Sequence, residues 1–109
     1  MPADTPLREP TFFVLTALAS GPAHGYGIIQ AVEEMSEGRV KLRAGTLYGA
    51  LDRLERDGLV AFEGTGSEGG PPRRYYGLTD EGRAVLAREV ERLVANASLA
   101  RSRLGPASA

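Results

Sequence analysis

Apolar side chains recur every three or four residues in four stretches of this chain, and every second residue in a shorter one. The first pattern is that of an amphipathic helix, the second that of a half-buried strand. From Glu9 to Ala19 the sets Phe12, Leu15, Ala19 and Val14, Leu18 predict a first helix, with Pro10 suited to its first turn and Ser20-Gly21-Pro22 ending it. A second is predicted from His24-Gly25 onward. There Tyr26, Ile28, Ile29, Val32 and Met35 form the apolar side, Glu33, Glu34 and Glu37 the polar one, and Gly38 the stop. Arg39 to Arg43 alternates charged and apolar residues, which suits a short strand or extended connector with its cations on one side. A third helix runs from about Ala44 to Asp57 on Leu47, Leu51 and Leu54, with Gly58 as a left-handed cap.

Beyond Gly58, Leu59 to Glu63 and Arg73 to Leu78 are β-compatible and flank a glycine-rich loop, so they predict a two-stranded hairpin. Alternation with Leu78 points Tyr76 to the core. Thr79-Asp80-Glu81-Gly82 opens the last helix, with Thr79 as cap and two acids in the electropositive first turn. Within it Leu86, Val90, Leu93, Ala97, Ala100 and Leu104 follow heptad spacing, a narrow stripe that wants another helix. Gly105 to Ala109 reads as a frayed tail. The fold expected is mainly α with a small β-hairpin, divided into residues 1–78 and a C-terminal helix with its tail, 79–109.

Composition narrows the function. A chain of 109 residues holds one core, and zero cysteines remove disulfides, thiolate metal sites and a cysteine nucleophile together. A lone histidine, His24, leaves too few ligands for a zinc site and argues against an enzyme; it is read as a cap or packed ring at the start of the second helix. No metal or cofactor is expected. The absence of an apolar run of membrane-spanning length makes a cytoplasmic protein the expectation.

Thirteen Lys and Arg against fourteen Asp and Glu give a net charge of −1, which by itself argues mildly against a nucleic-acid partner. The distribution argues the other way. Residues 38–51 carry Arg39, Lys41 and Arg43 with no acid, and residues 69–79 carry Arg73 and Arg74 with no acid. Three helices followed by a hairpin is the order of a winged helix-turn-helix, and those two windows are the ones such a fold presses against a duplex. In the third helix Gly49 and Ala50 keep one face low enough for a groove, Thr46 and Tyr48 offer hydroxyls to phosphates, and Arg53 offers a base-edge or phosphate contact. The competing reading makes Tyr48 a half-buried ring and pairs Arg53 with Asp57. A protein-interaction module without DNA binding is the alternative that the net charge suits.

Three motifs carry a family likeness. His24-Gly25-Tyr26, the run Gly45-Thr46-Leu47-Tyr48-Gly49-Ala50-Leu51-Asp52-Arg53-Leu54-Glu55-Arg56-Asp57-Gly58-Leu59, and the run from Pro72 to Gly82 together resemble the PadR family of bacterial transcriptional regulators, over about Pro10 to Leu104. The single last helix resembles the shorter members. The resemblance implies a dimeric repressor with an N-terminal winged helix, a C-terminal dimerisation helix, palindromic operators and, in many members, a small hydrophobic effector. Arg43 stands where relatives often have Ser before the third helix, so no side-chain cap is expected there.

Two further signals are set aside. Gly64-Thr65-Gly66-Ser67-Glu68-Gly69 matches a dinucleotide-binding pattern, but Pro71-Pro72 and a strand follow it where a helix N-terminus would have to stand, so it reads as a wing tip. Asp52 and Glu55 share a helix face, where Asp52 is expected to pair with Arg56 rather than hold a metal.

Overall fold

A computed structural model describes residues 6–67 and 69–106. In chain order the elements are α1 (Glu9–Leu18), β1 (Ala23–His24), α2 (Gly25–Met35), α3 (Ala44–Arg56), β2 (Val60–Gly66), β3 (Arg73–Leu78) and α4 (Asp80–Leu104). The four predicted helices are all present, and the fold is mainly helical with a small antiparallel sheet. Glu68 of the glycine-rich loop, Met1 to Thr5 and Ala107 to Ala109 of the expected tail lie outside the described residues.

The helix ends follow local chemistry. His24 caps α2 by accepting the Gly27 N–H on Nδ1 at 3.1 Å. After Ser36 the chain enters the left-handed region at Glu37 (φ 54°) and Gly38, whose N–H reaches back to the Glu33 carbonyl at 2.8 Å, a Schellman closure. Gly58 (φ 79°) plays the predicted part after α3, and the Leu59 N–H closes on the Leu54 carbonyl at 2.9 Å. Arg43 precedes α3 with no side-chain cap, and Thr79 caps α4 by accepting the Gly82 N–H at 2.9 Å.

One apolar cluster joins these elements: Val14, Leu15 and Leu18 of α1, Ile28 and Val32 of α2, Leu47, Leu51 and Leu54 of α3, Tyr76 of β3, and Val85 and Leu86 of α4. Tyr76 points inward as alternation requires. Arg39 to Arg43 is an irregular connector that turns Val40 into the core and leaves Arg39, Lys41 and Arg43 exposed.

Four expectations need correction. The sheet has three strands in the order β1-β3-β2, because Ala23 and His24 pair with Tyr76 and Tyr75 on the open edge of the hairpin. A two-residue strand is too short to leave a periodic signal. β2 runs three residues further than predicted, through a bulge between Phe62 and Gly64, so part of the glycine-rich stretch is strand. Tyr26 and Met35 stay exposed at the two ends of α2. Finally, Leu86 belongs to the protomer core rather than to a helix–helix seam. The nineteen-residue stripe read from the sequence, Leu86 to Leu104, begins inside the domain, because the first turns of α4 must dock on α1 before the helix leaves the body.

Glu89 secures that docking. It is buried on α4, accepts the Leu7 N–H at 3.2 Å and is bonded twice by Arg92, at 2.6 and 2.9 Å. Arg92 holds its carboxyl below the ordinary value of 4.5, against the upward push of burial and with help from the Leu7 N–H. A carboxyl depressed in the folded state stabilises the fold above its ordinary titration range and loses that contribution as pH falls through the depressed value. Thermal melts from pH 7 down to pH 3 are expected to show a loss of stability below about pH 4.5 that is smaller in Glu89→Gln; identical pH profiles would remove this role.

Candidate nucleic-acid interface

Three elements meet at a surface depression of about 290 Å³, lined by His24, Gly25 and Tyr26 at the start of α2, Tyr48 of α3, and Pro72, Arg73 and Arg74 of β3. The start of α2 is brought there by β1, which ties His24 to Tyr75 in register and sets the two rings edge to face at 5.3 Å. Gly25 has a packing reason. A Cβ at that position would strike the Tyr48 hydroxyl and approach its ring carbon Cζ to 2.8 Å, so glycine lets the ring lie over the helix start with 39% of the residue exposed.

Successive residues of β3 face opposite sides, so Arg73 and Arg74 are held differently. Arg74 shares its side with Tyr76; its guanidinium lies 4.1 Å from the centre of the Phe62 ring, and Nε donates to the Tyr76 hydroxyl at 3.2 Å. That bond to Tyr76 raises the Arg74 pKa further above its ordinary value, with smaller upward pushes from Glu55 and Tyr48, so the charge is permanent and lies within the field of α3. Stacking on Phe62 also removes rotamer freedom that a bound duplex would otherwise have to quench. Arg73 turns to the other side, where Nη1 stands 2.9 Å from Nε2 of His24.

On α3 the buried line Leu47, Ala50, Leu51 and Leu54 leaves Thr46, Asp52 and Arg53 outward. Of the pair thought to keep the outer face low, Gly49 does so, with Arg53 Nη1 lying 3.9 Å from where a Cβ would stand, whereas Ala50 faces the core. The two ion pairs considered along α3, Asp52 with Arg56 and Arg53 with Asp57, do not form. Among the described residues the ion pairs are Arg39–Glu9, Arg88–Glu81 and Arg92–Glu89. Arg39 thus meets an acid thirty residues upstream, at the start of α1, and the structure does not bring it to the depression. Lys41 and Arg43 stay exposed just before α3.

Sequence reasoning missed Phe62, and it read His24 as a cap or packed ring without the contact to Arg73. Its register opposite Tyr76 is the signal that could have found Phe62, but the bulge shifts the pairing beyond it. The described residues hold no cluster of His, Cys, Asp or Glu able to bind a metal ion, and no helix among them is long and apolar enough to cross a membrane.

Residues 14–88 match the family described as transcriptional regulator PadR-like. Among similar proteins, a 37.1 kDa protein of a Streptomyces fradiae transposon is 46% identical over 83 residues, covering 75% of this chain and 22% of that protein. A transcriptional regulator of Mycobacterium tuberculosis is 37% identical over 76 residues, covering 70% of this chain and 67% of the other. The chain therefore spans about a fifth of the first relative's length and two thirds of the second's. The structure of Bacillus subtilis PadR in complex with operator DNA superposes with a TM-score of 0.66 at 25% identity, covering 76% of this chain and 47% of that one.

Proposed function

The chain belongs to the PadR-like family of transcriptional regulators, and from that premise we propose that it is a dimeric repressor that binds palindromic operators through α3 and the β2–β3 wing. The observation that carries this reading is the shared depression, where the start of α2, Tyr48 of α3 and two wing arginines converge on one cationic surface. In this reading Thr46, Tyr48, Gly49 and Arg53 face the major groove, while Lys41, Arg43, Arg73 and Arg74 meet phosphates. Arg39 is the weakest member of that set, being paired with Glu9. Residues 1–78 form the DNA-binding unit, and 79–109 the dimerisation helix and its tail.

The dimer reading rests on α4. Past Arg92 each of its residues is exposed, and Val90, Leu93, Val94, Leu99 and Leu104 leave large apolar side chains in water. A helix extending from the body in this way gains most of its stability from packing rather than propensity, and a second copy supplies that packing. The seam we assign comprises Val90, Leu93, Ala97 and Leu104, with Val94 added. Two α3 helices related by the twofold axis would then sit roughly 34 Å apart, one duplex turn. A cavity of about 200 Å³ between α1 and α4, lined by Leu7, Phe12, Phe13 and Leu93 with Glu9, Glu89 and Arg92, supports the effector part of the proposal, since it has room for one small ring beside the seam.

The test is fluorescence polarisation with labelled duplexes across a salt series. Binding should weaken steeply as salt rises, and Arg73→Ala with Arg74→Ala should lower affinity on all sequences alike, roughly tenfold for each cation removed, while flattening the salt slope. Affinity that does not respond to salt would turn the reading towards a protein-interaction module.

A further inference from the structure

We infer that His24 and Arg73 form a two-donor clamp for a single phosphate of the DNA backbone; the inference rests on the DNA-binding reading above. Nδ1 of His24 accepts the Gly27 N–H, so in the neutral ring the proton sits on Nε2. Nε2 faces Nη1 of Arg73 at 2.9 Å, and a guanidinium only donates. Two N–H donors therefore converge with no acceptor between them. An unmatched donor pair of this kind lacks one thing, an anionic oxygen that both can reach, and a charge-assisted bond to it is stronger than either group makes with water.

The surroundings fit a phosphodiester oxygen in particular. The clamp lies in the exposed depression beside Arg74 and the Tyr48 hydroxyl, and it opens at the start of α2, whose first N–H groups and dipole favour negative charge. One side of it is rigid: His24 is held as a cap, by its strand pairing and by the Tyr75 ring, so the ring nitrogen is aimed before any ligand arrives. Duplex phosphate is favoured over free phosphate because the depression is open, most of its side chains are exposed, and Tyr48 of α3 forms part of its lining.

His24→Asn separates this role from capping, since asparagine is among the best N-caps but is too short to reach Arg73 or a phosphate beside it. The full chain is titrated onto a mixed-sequence duplex at low salt, with melting temperature recorded in parallel. His24→Asn is expected to melt as the parent does, to bind the duplex roughly tenfold more weakly, and to add little further loss in an Arg73→Ala background, because both residues act on one phosphate. Unchanged duplex affinity in His24→Asn, or a loss that adds fully to that of Arg73→Ala, overturns the clamp while leaving DNA binding intact. A parent chain that fails to bind any duplex overturns both. Titration with inorganic phosphate alone separates the two sources: submillimolar binding abolished by His24→Asn would overturn the assignment to the duplex backbone.

Discussion

Replacing Gly82 by alanine is expected to lower the melting temperature by roughly 10–20 °C, the size of effect that about 3 kcal/mol of overpacking has in a domain of this length. Gly82 lies in the first turn of α4, pressed on the turn that joins α3 to β2. A Cβ there would strike the Leu59 carbonyl oxygen and lie 2.9 Å from its carbon. Both obstacles are backbone, and that backbone is committed: the same Leu59 carbonyl accepts the Thr79 N–H at 3.1 Å, and the Thr79 hydroxyl donates to the Gly58 carbonyl at 2.6 Å. Neither side can yield without breaking the cap of α4. Alanine is the better helix former by about 1 kcal/mol, so a test of propensity alone would show stabilisation. Differential scanning calorimetry of the variant decides between the two, and a melting temperature within a few degrees of the parent would show that the contact relaxes freely.

If the proposed α4 seam holds two copies together, Leu93→Glu is expected to yield monomers in sedimentation experiments and to reduce operator affinity at least a hundredfold. Leu93 stands where α4 leaves the body, 40% exposed in the protomer and beside Phe12 and Phe13. The single chain tolerates a carboxylate there because water reaches it. A twofold seam does not, since the substitution enters twice and sets two like charges in an apolar strip. Loss of the second half-site then forfeits the effective concentration that linkage provides, commonly a hundredfold or more. Circular dichroism of the variant should retain the parent's helix content. A variant that sediments as a dimer would remove Leu93 from the seam, and one that is monomeric yet binds its operator undiminished would show that one half-site suffices.

Much of this molecule is legible along the chain because its signals are local. The helices announce themselves through periods of three and four residues, Gly58 and Thr79 through the backbone demands of a helix end, and Tyr76 through alternation on a strand. The unpaired-looking cations Lys41, Arg43, Arg73 and Arg74 were visible as runs without acids. Where local reasoning failed, a residue distant in sequence decided the matter. Arg39 looked as free as its neighbours until Glu9, thirty positions away, bonded it, and Leu86 fitted the heptad stripe until the shared core enclosed it.

Sequence periodicity and charge thus determined which segments are helices, where the hairpin lies and which stretches are cationic, since each depends on neighbours within a few residues. Tertiary packing alone decided the third strand, the buried Glu89 beneath Leu7, the Arg74 stack on Phe62 and the meeting of His24 with Arg73. The last two donors stand 49 positions apart. No local preference encodes such an encounter, because it exists only once the closing of the sheet and core has compensated the entropy of bringing those distant segments together.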